Sequence, residues 1–217
     1  MPQKGDPVYA IYAFPLARLD TAGNPVGYKD GKLSNDYGAI TGSTDPSAIK
    51  CVGSAIPQYY GSITHTVRIH KLVSLTVQVS GRFSYFYRSA TYTSSQLIAG
   101  ANNNADYNDR WQQKGDENKT PVPAFTLEEN KARDRIWQYG DVQVRPADQV
   151  RLDYVQLGFT VDKNRFKFLR SGSLLVYLTL CNLGILWRKN KQHQDPDAVT
   201  NPYPAPKTFG ITIKFMR

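Results

Sequence analysis

Over residues 72–88 apolar side chains fall on the odd positions and polar ones on most of the even positions. Val73, Leu75, Val77, Val79, Gly81, Phe83, Tyr85 and Tyr87 fall on odd positions; Ser74, Thr76, Gln78, Ser80, Arg82, Ser84 and Arg88 fall on even ones. A period of two is that of a β-strand, whose successive side chains point to opposite faces, so the run predicts one long strand with an apolar and a polar face. Just upstream Ile63, Val67 and Ile69 alternate with Ser62, Thr64, Thr66 and Arg68. Only His70 and Lys71 separate the two runs, so the pair reads as a tight hairpin.

The pattern recurs along the chain. Phe209, Ile211, Ile213 and Phe215 alternate with Thr208, Gly210, Thr212 and Lys214. Residues 148–161 form another candidate strand, in which the apolar set slips from even (Val150, Leu152, Tyr154) to odd (Val155, Leu157, Phe159, Val161), the mark of a bulge. Residues 168–180 form a further candidate. A sixth, residues 8–14, is apolar on both faces and reads as a buried strand. Connections between these runs alternate strictly: long (15–60), short (70–71), long (89–147), short (162–167) and long (181–206). In an antiparallel up-and-down sheet alternate connections lie at the same end, so one end carries tight turns and the other elaborate loops, as in outer-membrane barrels. Candidate strands of about 9 to 17 residues also meet the roughly 9 to 11 that a tilted strand needs to cross a bilayer.

The competing architecture is a soluble β-sandwich or jelly roll, which shows the same alternation. It fits less well, because these runs exceed the usual strand length of about five to six residues. Connections of about 40 to 60 residues are also uncommon in compact soluble domains.

Composition narrows the function. The 217 residues carry 27 Lys+Arg against 18 Asp+Glu, a formal charge of +9, and 41% of them are hydrophobic, enough to build a core. From residue 161 onward ten Lys/Arg face three Asp, so most of the surplus lies in the last quarter. These charges are dispersed among turns and strand ends in no block, so nucleic acid is not an expected partner. No apolar run is long enough for a transmembrane helix, and the first residues show no signal-peptide pattern. Cys51 and Cys181 allow at most one bridge and read as unpaired buried thiols.

No catalytic constellation stands out. His65, His70 and His193 lack zinc-pair spacing, and nucleophile-elbow, Walker and dinucleotide motifs are missing, so no enzyme, cofactor or metal is expected. Asp106, Asp109, Asp116, Glu117, Glu128 and Glu129 in the middle connection are of the type that supplies a glycosidase pair; they read better as solvated loop charges. The same region holds Tyr107, Trp111, Trp137 and Tyr139 among Asn, Gln and Asp. Aromatic faces beside amides and carboxylates suit sugars and peptides, whereas a packing role for each is the plainer alternative. In a soluble reading the same aromatics would make a carbohydrate-binding β-sandwich module.

Several loop sequences carry a family resemblance. The run RWQQKGDENKTPVP (110–123) resembles a loop of the C-terminal region of SusC/RagA-type TonB-linked outer-membrane transporters. In the same order come LDTAGNPVGYKDGKLSNDYGAI (19–40), GSAIPQYYGSITHTVRIHKLVSLTVQVSGRFSYFYRSATY (53–92), DQVRLDYVQLGFTV (148–161), NLGILW (182–187), QDPD (194–197) and PKTFGITIKF (206–215). The resemblance covers essentially the whole chain. It implies an all-β, antiparallel up-and-down transmembrane β-barrel segment, about the last six strands of a 22-stranded barrel with a plugged lumen. Residues 1–217 would then be the C-terminal part of the receptor barrel, with the signal peptide, plug and TonB-contacting segment lying upstream.

The resemblance further implies import of glycans or peptides across a Bacteroidetes-type bacterial outer membrane, under a SusD-like surface lipoprotein lid. Its partners would be the remaining barrel and plug, TonB, the oligosaccharide or peptide substrate and outer-membrane lipid. Candidate ligand- or lid-contacting loop residues are Tyr107, Trp111, Asp116, Trp137, Tyr139 and Trp187. Thr208, Gly210, Ile213 and Phe215 resemble an assembly signal, from which Met216 and Arg217, following the last aromatic, depart.

Overall fold

The computed structural model describes residues 4–101, 105–162, 172–199 and 205–216, and the chain divides into two units. Met1–Ile56 with Tyr85–Pro146 make a loop unit; Pro57–Ser84 with Ala147–Arg217 make a sheet unit. In chain order the strands are β1 (Ala10–Ala13), β2 (Leu16–Leu19), β3 (Pro25–Lys29), β4 (Lys32–Ser34), β5 (Lys50–Ser54), β6 (Tyr59–His70), β7 (Val73–Phe83), β8 (Phe86–Arg88), β9 (Val144–Pro146), β10 (Gln149–Asp162), β11 (Ser173–Arg188) and β12 (Thr208–Met216). The helices are α1 (Tyr37–Thr41), α2 (Ser94–Ile98) and α3 (Lys131–Gln138).

The sheet unit is one antiparallel sheet in the order β12–β11–β10–β7–β6. Spatial order follows chain order, so it is an up-and-down meander, with strands of 12, 11, 14, 16 and 9 residues from β6 to β12. Register sorts most of the side chains by face. Val67, Leu75, Leu157, Leu178 and Ile211 form one row across all five strands. Val73, Phe159, Val176 and Ile213 form the next row on the same face. His65 interrupts a third, otherwise made of Val77, Val155, Leu180 and Phe209. One residue along, the row reads Thr66, Thr76, Gln156, Thr179 and Gly210. On this polar face the Thr66 and Thr76 hydroxyls lie 2.9 Å apart, and Gln156 Nε2 donates to Thr179 Oγ1 at 2.9 Å.

The expected slip in 148–161 is a bulge. Register shifts between Leu152 and Tyr154 against both neighbouring strands, leaving Asp153 as the extra residue. Its carboxylate accepts from Ser80 Oγ at 2.9 Å and Gln78 Nε2 at 3.4 Å, so the polar face holds it. Tyr154 stands opposite Gln78 on that face, not with Val150 and Leu152 as its even number suggests.

Three expected boundaries change. The single strand over 72–88 breaks at Ser84, whose φ of 63° is left-handed and whose N–H donates to Asp148 Oδ1 at 2.8 Å. Beyond it Phe86–Arg88 becomes β8, paired with β9 in the loop unit. The candidate over 168–180 is displaced: β11 continues to Arg188, because Asn182 (φ 56°) and Gly184 (φ 125°) absorb a local irregularity without ending the ladder. Its residues 168–171, and the expected short turn over 163–167, lie outside the described residues. The sixth candidate, 8–14, is not a sheet-unit strand. Pro7 and Pro15, which have no N–H to donate, confine it to the four residues of β1, paired with β5, and Val8 is 95% exposed. The meander therefore has five strands.

The loop unit has its own core. Asn130 caps α3 by accepting the Arg133 N–H at 2.9 Å. The helix then buries Ile136 and Trp137, the latter against Tyr92 and Val122 from the preceding segment. Arg133, also buried, donates Nε to Asn24 Oδ1 at 2.9 Å and Nη2 to the Ala124 carbonyl at 2.8 Å, tying three segments together. Cys51 in this unit and Cys181 in the sheet unit are both free and half-buried.

Candidate functional site

The sequence-proposed aromatics separate into two groups. Tyr107 sets its ring edge-on to Tyr92 at 5.2 Å and to Phe125 at 6.4 Å, with the Arg110 guanidinium 4.1 Å from its centre. Trp111 lies on Gly23, where φ is 76° and an added Cβ would meet the indole at 2.6 Å. Its Nε1–H donates to Glu117 Oε2 at 3.0 Å. Trp137 is 4% exposed, and its Nε1–H donates to Thr91 Oγ1 at 2.9 Å. Asp116 shapes a turn, accepting from the Gln112 and Gln113 N–H groups and from Lys119 Nζ at 3.0 Å. These four support the protein itself. Tyr139, 44% exposed with the Arg88 guanidinium 5.0 Å from its ring centre, is the exposed member of the five and faces a cavity.

Trp187 is corrected from loop to strand. It lies in β11 opposite Val150, with its ring 6.5 Å from Phe83. Tyr59 pairs with Phe83, so three aromatics border the apolar face at one end of the sheet. Aromatic rings in that place match the interfacial girdle of a transmembrane barrel. β12 is exposed along its whole length as an edge strand, with Ile213 and Phe215 in the apolar rows and Thr208 and Gly210 in the polar ones.

Glu117 gives a pH test for the 111–120 loop. Donation from Trp111 is the largest cause holding its carboxyl below the usual value, with Gly115 N–H (2.7 Å) adding to it. A depressed carboxyl pKa contributes stability above the unfolded value, lost as pH falls through the folded one. The Trp111 emission, taken as wild type minus Trp111→Phe, should hold steady from neutral pH and change only below about pH 4. Glu117→Gln should remove that step; a step near pH 6 would show that another group controls the loop.

The cavity beside Tyr139 measures about 720 Å³ and lies within the loop unit. Lys131, Arg135 and Gln138 reach it from one face of α3, while Ile136 and Trp137 occupy the opposite, buried face. The sequence carried this signal in helical spacing, i, i+4 and i+7, which a reading for strands passes over. Arg88 was also missed. Burial pushes its guanidinium below the ordinary arginine value. A smaller cavity of about 300 Å³ borders Trp137, Leu16 and Glu117.

In the sheet unit the QDPD segment folds onto the polar face. Arg151 Nη1 meets Asp195 at 2.9 Å and Asp197 at 3.3 Å, and Arg82 Nη1 meets Asp197 at 2.9 Å. These pairs hold the turn Pro196–Ala198 against β7 and β10.

No protein-family model and no curated protein matches the chain. Solved structures do. The RagAB peptide importer in its 'open-open' state aligns at TM-score 0.60 and 17% identity, over 86% of this chain and 19% of that one. Its 'closed-closed' state aligns at 0.62 and 16%, over 94% and 22%. The chain shares its fold with a segment of the RagAB importer. A further structure of the RagAB peptide transporter gives 0.62 and 17%, over 95% and 22%, so the likeness extends over both units. The chain spans about a fifth of the RagAB chains it matches.

Proposed function

We propose that this chain is a wall-and-loop segment of a TonB-dependent outer-membrane transporter of the SusC/RagA type. The five-strand meander forms part of the barrel wall, and the loop unit lies on the extracellular side. The whole transporter, with its plug and remaining strands, imports peptides or glycans across a Bacteroidetes-type outer membrane. It draws energy from TonB and works with a SusD-like surface lipoprotein; no chemical step is assigned to it. Likeness to the RagAB peptide importer supports this reading.

The observation that carries it is the sorting of side chains across five in-register strands. One face is apolar and the other carries hydroxyls and amides, and every strand is long enough to cross hydrocarbon. In a soluble sandwich a second sheet would cover the apolar face. Among the described residues of the sheet unit there is one sheet, and Ile63 and Ile213 are 77% and 64% exposed.

Among the described residues both edge strands, β6 and β12, also lack an outer neighbour in the sheet. Each unsatisfied backbone group in hydrocarbon costs several kcal/mol, so the edges need the rest of a barrel. Produced alone without detergent, the chain should sediment as aggregate. A monodisperse, soluble, β-rich monomer by size exclusion would overturn the barrel reading. Extraction of source membranes in detergent, followed by pull-down and mass spectrometry, should recover plug sequence and a lipoprotein with this chain.

A further inference from the structure

The wall of the cavity beside Tyr139 carries two cations, Lys131 and Arg135, against one anion. Asp134 is the one carboxylate on its wall, and both oxygens are engaged, by the Ser94 N–H at 3.4 Å and the Ser95 N–H at 2.8 Å. Ser95 also lines the cavity, with its Oγ turned into the protein, sealed from solvent and without a partner. Lys131 shares its charge with Glu129 at 3.4 Å, whereas Arg135 has no acidic partner among the described residues. Behind Tyr139, Arg88 donates Nη2 to the Tyr12 carbonyl at 2.6 Å, but its Nη1 is buried without an acceptor. An exposed guanidinium without an acidic partner, on a cavity whose one carboxylate is engaged, suits a ligand that accepts.

We infer that this cavity is a carboxylate-binding subsite, in which the Arg135 guanidinium pairs with the anionic end of an extended ligand lying against the Tyr139 ring. A carboxylate offers about four acceptor positions in a plane and fits the guanidinium fork with two parallel hydrogen bonds. Its single charge matches one unpaired arginine; a phosphate dianion would need a second free cation, and Lys131 is already paired. Arg88 adds positive field from behind the ring. About 720 Å³ is the size of a ligand pocket and holds more than a carboxylate, so a residue or two of peptide or a sugar ring enters with it. The carboxylate comes from a peptide or from a uronic acid. For its biological role the subsite rests on the import reading above; the binding itself does not.

The test is calorimetry on the full transporter polypeptide, extracted in detergent micelles. The probes are tetra-alanine with a free C-terminal carboxylate, its C-terminal amide, trigalacturonate and the neutral methyl ester of trigalacturonate. At least one free acid should bind more tightly than its neutral form. Arg135→Gln should weaken that acid roughly ten- to hundred-fold and the neutral form far less, and Arg135→Lys should recover part of the loss. Preference for tetra-alanine assigns the carboxylate to peptides, and preference for trigalacturonate to acidic glycans. Equal binding of acid and neutral forms, no binding of either acid, or indifference to Arg135→Gln overturns the subsite. Outer-membrane assembly, followed separately by cell fractionation, decides the transporter reading. A polypeptide that assembles but ignores both acids refutes the subsite alone.

Discussion

Arginine in place of Leu157 should keep the protein out of the outer membrane. Leu157 sits in the middle of its row on the apolar face, between Leu75 and Leu178. An arginine facing lipid at the bilayer midplane costs about 2–4 kcal/mol, a large part of the roughly 5–15 kcal/mol that holds a folded protein together. Gln156→Arg is the internal control, because one residue along the strand the side chain lies in the row of Thr76 and Thr179 on the polar face. Its effect should be small. Val150→Arg, beside Trp187 near the aromatic border, should cost only about 0–1 kcal/mol. The readout is the yield of heat-modifiable, membrane-inserted protein.

A soluble core would also reject Leu157→Arg, so enlargement separates the two architectures. Leu157→Trp should be tolerated against fluid lipid, whereas overpacking a close-packed core costs about 1–3 kcal/mol. Equal damage from positions 156 and 157, or loss of folding with Leu157→Trp, would reverse the assignment of faces.

The sheet was legible because its information is local and periodic. Alternation in residues 72–83 and 208–215 predicts strands, and the parity slip locates the bulge at Asp153 to within about a residue. What escaped depends on single backbone angles. Ser84 takes a left-handed φ while the apolar odd positions continue through Tyr85 and Tyr87, so pattern alone carries the strand too far. At Asn182 and Gly184 the opposite happened: residues that usually end a strand sit inside one. The loop unit was hidden for another reason. Its core joins Tyr92, Val122 and Trp137, residues far apart in sequence, and α3 spans too few turns for its period to stand out.

The same physics explains the fate of the candidate site. A long polar connection that folds must first find its own core, and the scarce aromatics are the material for it. Tyr107, Trp111 and Trp137 are spent in that way, and Trp187 borders the apolar face of the sheet. Tyr139 is left exposed at the larger cavity, and the cations around it come from helix spacing that the strand pattern did not reveal.

Trp137→Ala should therefore unfold the loop unit and spare the sheet. The indole is buried against Tyr92 and Val122, with Leu16, Leu97 and Val142 packed around that cluster. Truncating such a residue costs about 3–5 kcal/mol, from lost burial and from the void left behind. The substitution also removes the Nε1–H donor to Thr91, whose hydroxyl is bonded in turn to Asp106. Limited proteolysis of the assembled protein should then cut within 89–147 at protease levels the wild type resists, while heat-modifiable migration of the barrel persists. Tyr139→Ala gives the converse: with its ring largely outside the core, it should leave protease resistance nearly unchanged and weaken ligand binding. If Trp137→Ala abolished membrane assembly as well, the two units would be one cooperative structure, and loop order would be a condition for building the wall.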